Sequence, residues 1–229
     1  MVHDASTRAL DAEAAALAAV AGQLPQGDLN RASPCPPWTA GQLLCHVLIG
    51  ADRIRQALAE PDDPRAPLVS TADYYRPDER FSATTNADRI RTAVTLAARL
   101  DGPATIAAEL RTRCQQAHDL VAAAPEGRTV RTRHGDRMLL ADFAVTRVVE
   151  LGVHGLDLAS ALGRPPWLTG AAAAVLTGLL LPGGGASRLC GLLGCDTAGL
   201  VARLTGRAAL SAADSQLLAD AGVVRLALG

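Results

Sequence analysis

Apolar residues near the start of the chain recur at helical spacing. Leu10, Ala14, Leu17 and Ala21 share one face, which predicts a helix over 6–23, stopped by Gly22 and Pro25. After a turn-rich stretch over 30–37, Thr39 followed three residues later by Gln42 forms a capping box. A second helix therefore starts there and runs to about residue 59, with His46 in its second turn. Residues 60–85 are rich in proline and poor in core residues, so they read as a long loop that can lie over the mouth of a site. The pattern then predicts a third helix over 86–124, with a break at Gly102-Pro103. Arg128 to Arg133 and Arg137 to Leu140 flank His134-Gly135-Asp136, the signature of a short β-hairpin. A fourth helix over 141–162 ends at Gly163 and Pro165.

Beyond Pro166 the pattern changes. An alanine-rich helix is expected to about residue 181, then a joint at Pro182 to Gly185 and a helix over 197–204. Ser211 with Asp214 caps a last helix to about residue 221, and 223–228 reads as a short strand. The expected fold is mainly α: a four-helix bundle over 1–164 with a short β-hairpin before its fourth helix, and a small C-terminal α(+β) segment over 165–229. That segment is too small to be independent, so it is expected to dock on the bundle and close one side of a pocket.

The fourth helix carries the most informative chemistry. At about 100° per residue, Arg147, Glu150, His154 and Asp157 fall within an arc of about 80°, while nearly every other position over 143–162 is apolar or small. Such a helix is expected to be buried, and buried charges are costly unless they are paired or bind a metal. A histidine on another helix would complete a donor set, and His46 is the candidate. Asp157 has two readings, an acceptor orienting an imidazole or a solvent-facing carboxylate. Arg147 either holds a substrate carboxylate or neutralises Glu150.

The segment from Trp38-Thr39 to His46 (W-T-x-x-x-L-x-x-H), with the later Arg147, Glu150, His154, Asp157 segment (R-x-x-E-x-x-x-H-x-x-D), resembles the DinB-like metalloproteins, specifically the mycothiol-dependent maleylpyruvate isomerase branch. The resemblance covers about the first 165 residues. It implies a divalent metal, usually zinc, held by His46, Glu150 and His154, with mycothiol as a thiol cosubstrate bound through the metal. Leu204-Thr205-Gly206-Arg207 is similar to a segment common in these relatives, and the isomerase uses a C-terminal arginine in catalysis. The resemblance thus makes Arg207 a candidate for contacting thiol or substrate, and with Arg147 and Asp157, read from the residues above, it completes the candidate catalytic set; Arg147 and Arg207 are the candidates for contacting the thiol cosubstrate.

Composition narrows the setting. All 22 basic residues are arginine, and the chain is rich in alanine, which points to a GC-rich genome and fits an actinobacterial origin. A net charge of −1 and 3% aromatic residues argue against a nucleic-acid partner. The longest apolar stretch, over 171–181, is too short to span a bilayer, and the first residues do not resemble a signal peptide; a cytoplasmic monomer or homodimer is expected. Cys35, Cys45, Cys114, Cys190 and Cys195 show no paired spacing, so they are expected to be reduced. Cys114 and His118 stand at i, i+4 without a third partner and read as a buried thiol and a surface histidine. Cys45 points away from His46, and Gly183 to Gly185 read as a joint rather than a phosphate loop.

Two histidines and one carboxylate leave a coordination position open for water or a thiolate, as in catalytic zinc sites. The function expected is a zinc-dependent enzyme that activates mycothiol and adds its sulfur to an electrophilic small molecule, as a thiol transferase or a thiol-assisted isomerase. The alternatives are a non-catalytic metal-binding stress or regulatory protein and a metal-dependent amide hydrolase.

Overall fold

The computed structural model describes residues 2–228. It is mainly helical, with one small sheet. Four long helices form the bundle: α1 (Val2–Gly22), α2 (Ala40–Ala59), α5 (Gly102–Ala123) and α6 (Leu140–Leu162). α1 and α2 sit diagonally, each packed against both α5 and α6. The core is aliphatic: Leu10 and Leu17 from α1, Leu44, Leu48 and Ile54 from α2, Leu110 from α5, and Leu151 and Leu158 from α6 are all fully buried. Each such side chain contributes about 1.5–3 kcal/mol of hydrophobic stabilisation.

α6 is the central element. Only a few of its residues reach solvent, and the polar stripe of Arg147, His154 and Asp157 is itself buried. Small residues let neighbours approach it closely. A Cβ on Gly152 would stand 2.9 Å from Leu168, and one on Gly155 would stand 3.5 Å from Trp167. The helix ends at Gly163, whose left-handed φ of 63° places it at the C-cap without the steric cost a side chain would carry.

Several expected elements differ in detail. The third helix is two, α4 (Ala83–Ala97) and α5, because the chain turns at 98–101 and Gly102 takes a positive φ of 79°. α4 packs beside α2. The stretch over 60–85 is not a bare loop: it contains the single turn α3 (Thr71–Tyr74), opened by a Ser70 and Asp73 capping box, and a 3-10 turn over Glu79–Phe81. It is tied to the sheet, since Arg137 donates its N–H to Pro67 O and Val69 donates to Arg137 O. Val69, Tyr74 and Tyr75 are buried as a result. The hairpin forms as expected from β1 (Thr129–Arg131) and β2 (Arg137–Leu139), with Val130 opposite Met138.

The C-terminal part contains α7 (Gly170–Leu180), α8 (Ala186–Leu193), α9 (Thr197–Leu204) and α10 (Ala212–Asp220). α8 lies just past the glycine joint, where no helix was expected. α7 packs on α1 and α6. Residues 223–228 form no strand, because their backbone groups meet isolated acceptors instead of a neighbouring strand. Val224 donates to Leu180 O and Ala227 to Tyr75 O, which lays this tail beside the bundle. Among the described residues no helix is long and apolar enough to cross a membrane.

Candidate metal centre

The start of α2 is fixed by local chemistry. Gln42 N–H donates to Thr39 Oγ1, and Thr39 N–H donates to Gln42 Oε1 at 3.1 Å. The preceding turn is closed by Ser33, whose N–H and hydroxyl both donate to Trp38 O, and Arg31 ties it to the end of α6 by donating to Ala161 O. This anchors Trp38, whose indole stacks on His46 with ring centroids 4.5 Å apart. The imidazole is thereby held facing α6.

Glu150 and His154, one turn apart on α6, meet it there. Glu150 Oε2 lies 3.5 Å from both His46 Nε2 and His154 Nε2. The two imidazoles stand edge to face at 5.1 Å, and the three donor atoms all lie within 4.8 Å of one another. The three side chains predicted from sequence to form one set are therefore brought together. Two neutral-capable imidazoles and a carboxylate from facing helices suit a divalent ion such as zinc, and the donor set fits one.

The surroundings prepare these donors unequally. Burial pushes the His46 pKa down, although Glu150 opposes this, so its nitrogen lone pair is available. Burial would also depress His154, but Asp157, Cys35 and Glu150 together raise it well above the usual imidazole range. Burial would raise Glu150, but the two histidines and the Arg147 charge hold its carboxyl well below the usual range. The proton between His154 Nε2 and Glu150 is one that a cation in the same place would displace.

Asp157 is almost fully buried and faces inward. Its Oδ2 lies 3.0 Å from His154 Nδ1 and accepts from Cys35 Sγ at 3.2 Å. Burial would raise its pKa, but His154 and Arg207 hold it below the usual carboxylate value. Arg207 donates from Nε to Asp157 Oδ1 at 3.2 Å and from Nη1 to Thr205 O at 2.7 Å, and its Nη2 reaches Leu228 O at 3.1 Å. It thus stands behind Asp157, between the end of α9 and the C-terminal tail, and is not among the described residues lining the cavity.

Arg147 forms no ion pair with Glu150 among the described residues. Its guanidinium donates to Thr146 Oγ1 and Gly50 O and lies over the Phe143 and Tyr74 rings, 5.0 and 5.8 Å from their centroids. It bridges α6 to α2 and lines the cavity.

Residues that sequence reasoning passed over complete the site. Tyr75 hydroxyl lies 2.9 Å from Thr146 O and 3.2 Å from Glu150 Oε1. Cys35 joins His154 and Asp157 in a second close cluster of donor atoms. Both come from irregular segments, where periodicity gives no signal. The thiols of Cys45 and Cys114, in contrast, are buried and pushed up to about 12 by that burial, as suits packing residues. His118 Nδ1 lies 2.7 Å from Asp11, away from any nucleophile pairing with Cys114.

The donors open into a cavity of about 580 Å³, whose walls include Trp38, Tyr74, Tyr75 and, from the C-terminal tail, Ala227 and Leu228. That volume suits a small organic ligand. A helical bundle with a His-Glu-His donor set at the base of such a cavity defines a candidate metalloprotein of the DinB-like class. The chain belongs to the mycothiol maleylpyruvate isomerase N-terminal domain family, whose model matches residues 10–159. Two uncharacterized proteins of Mycobacterium tuberculosis, Rv0036c and MT0041 from different strains, are each 29% identical to it over 154 residues, 67% of this chain and 55% of theirs. The chain thus spans about half the length of these curated relatives. No solved structure matches it.

Proposed function

We propose that this protein is a metal-dependent enzyme that binds mycothiol and adds its sulfur to an electrophilic small molecule. His46, Glu150 and His154 would hold a divalent metal, with zinc as the best fit to two imidazoles and a carboxylate. The observation that carries the reading is the His154 to Asp157 contact: a carboxylate on Nδ1 directs Nε2 toward Glu150 and His46, as an oriented metal ligand requires.

A thiol with a pKa of about 8.5 is mostly protonated at neutral pH, and a bound metal supplies the charge that keeps it as thiolate. The chain's own residues do the rest. Trp38 fixes His46, Tyr75 donates toward Glu150 or Thr146, and Arg147 biases Glu150 toward its charged form. Family membership supports mycothiol as the thiol; transfer and isomerisation share the sulfur addition and differ in whether the thiol is released.

Cobalt-substituted protein titrated with mycothiol tests this. A sulfur-to-metal charge-transfer band should appear on addition of the thiol. No spectral change at millimolar mycothiol, with cobalt confirmed present, would overturn thiol binding at the metal.

A further inference from the structure

The cavity is strongly basic away from its metal donors. Arg53 from α2, Arg89 from α4 and Arg133 from the hairpin turn all line it, together with Arg80 and Arg147. A second cavity of about 470 Å³ shares Arg53, Tyr74, Arg133 and His134 with the first but none of the three metal donors. Of the arginines, Arg53 and Arg133 therefore stand where the two spaces adjoin.

Two of these charges, Arg53 and Arg133, have no acidic partner among the described residues. Arg80 is held by Asp136 at 3.0 Å and Asp78 at 3.3 Å, and Arg147 by backbone and aromatic rings. Asp88, an acidic residue of the wall, pairs with Arg91. Arg53 donates to Gln56 Oε1 and Arg133 to His134 Nε2, both neutral acceptors, and neither forms an ion pair among the described residues. Burial and the neighbouring positive charges of Arg133 and Arg147 depress Arg53, and those of Arg133, Arg80 and Arg89, added to burial, push His134 down to about 3. Like charges drawn together at a cavity wall repel, and an anion seated between them relieves the repulsion. Planar guanidinium forks match an oxyanion in geometry as well as charge.

We propose that Arg53 and Arg133 form an oxyanion subsite that holds a carboxylate or phosphate group of the small-molecule electrophile while its reactive carbon faces the metal donors. This rests on the metal and thiol reading for the second half of that sentence alone. His134, accepting from Arg133 at Nε2 and held neutral, adds no further positive charge to the wall.

Calorimetric titration of succinate, inorganic phosphate and the neutral analogue succinamide tests the subsite without any chemistry. Succinate or phosphate should bind saturably, about tenfold or more tighter than succinamide, and the tighter of the two identifies the anionic group. Arg53→Gln and Arg133→Gln should each weaken the anion about tenfold or more. Binding should persist in His46→Ala, which separates this subsite from any anion held by the metal. Equal affinity for succinate and succinamide, undiminished binding in the Arg53→Gln/Arg133→Gln double variant, or loss of anion binding in His46→Ala would overturn the proposal. If the double variant does not fold, the comparison of succinate with succinamide in the unaltered protein decides. Failure of the metal reading would show instead as absent metal with anion binding intact.

Discussion

His154 Nδ1 lies 3.0 Å from Asp157 Oδ2, and the other oxygen of that carboxylate accepts from Arg207 at 3.2 Å. A contact along one turn of α6 is thereby extended to the C-terminal part of the chain. With the ionised carboxylate accepting from Nδ1–H, displacement of the second proton by a cation would leave the Nε2 lone pair directed toward Glu150 and His46.

Asp157→Asn should therefore weaken metal binding without abolishing it. An amide still accepts from Nδ1 but lacks the charge that raises the basicity of the ligand. The expected loss is about 10–100-fold in affinity, measured by chelator competition. Unchanged affinity would mean that Asp157 serves only to pair with Arg207.

Arg207→Gln tests the link to the tail. The substitution removes the fork that joins Asp157, Thr205 O and Leu228 O, and only part of it can be replaced by one amide. Amide exchange at Ala227, whose N–H donates to Tyr75 O, should become faster, with metal affinity reduced less than in Asp157→Asn. Ala227 protection that stays at its original level would show that the tail is held independently of Arg207.

Glu13, packed against α6 at Gly155 and outside the donor set, gives a pH-dependent stability effect. It is fully buried on α1, Oε2 accepts from the Thr169 N–H and hydroxyl, and Oε1 has no partner among the described residues. Burial raises its pKa above the ordinary 4.5, although Thr169 opposes the shift. The folded state holds this proton longer than the unfolded chain, so the contribution is fully present below 4.5 and is lost as pH rises through the raised folded value. Glu13→Gln keeps an acceptor for Thr169 and carries no charge to bury. It should be about 1 kcal/mol more stable than the unaltered protein at pH 7, with the advantage shrinking as pH falls from 7 toward 4.5 and gaining nothing further below it, by denaturant unfolding. A constant difference across that range would contradict the assignment.

How much of this could be read from sequence follows from where each residue lies. The polar stripe on α6 was legible because an otherwise apolar helix leaves four ionisable positions conspicuous, and α2 was legible because Thr39 and Gln42 form a local signal. Both are short-range patterns. The break between α4 and α5 showed at Gly102-Pro103, but α3 and α8 are too short to establish a period. Tyr75, Cys35, Arg89 and Arg133 reach the cavity from loops or from a helix with little apolar face, so only tertiary packing brings them there. The tail over 223–228 has a strand-like composition, yet its partners are Leu180 and Tyr75 rather than an edge strand.

The central claim is that His46, Glu150 and His154 hold one metal ion. Elemental analysis of the purified chain beside His46→Ala and His154→Ala tests it most directly. The account predicts about one divalent ion, zinc or similar, per unaltered chain and its loss in both variants, with helical content preserved. Full metal content in both folded variants would contradict it.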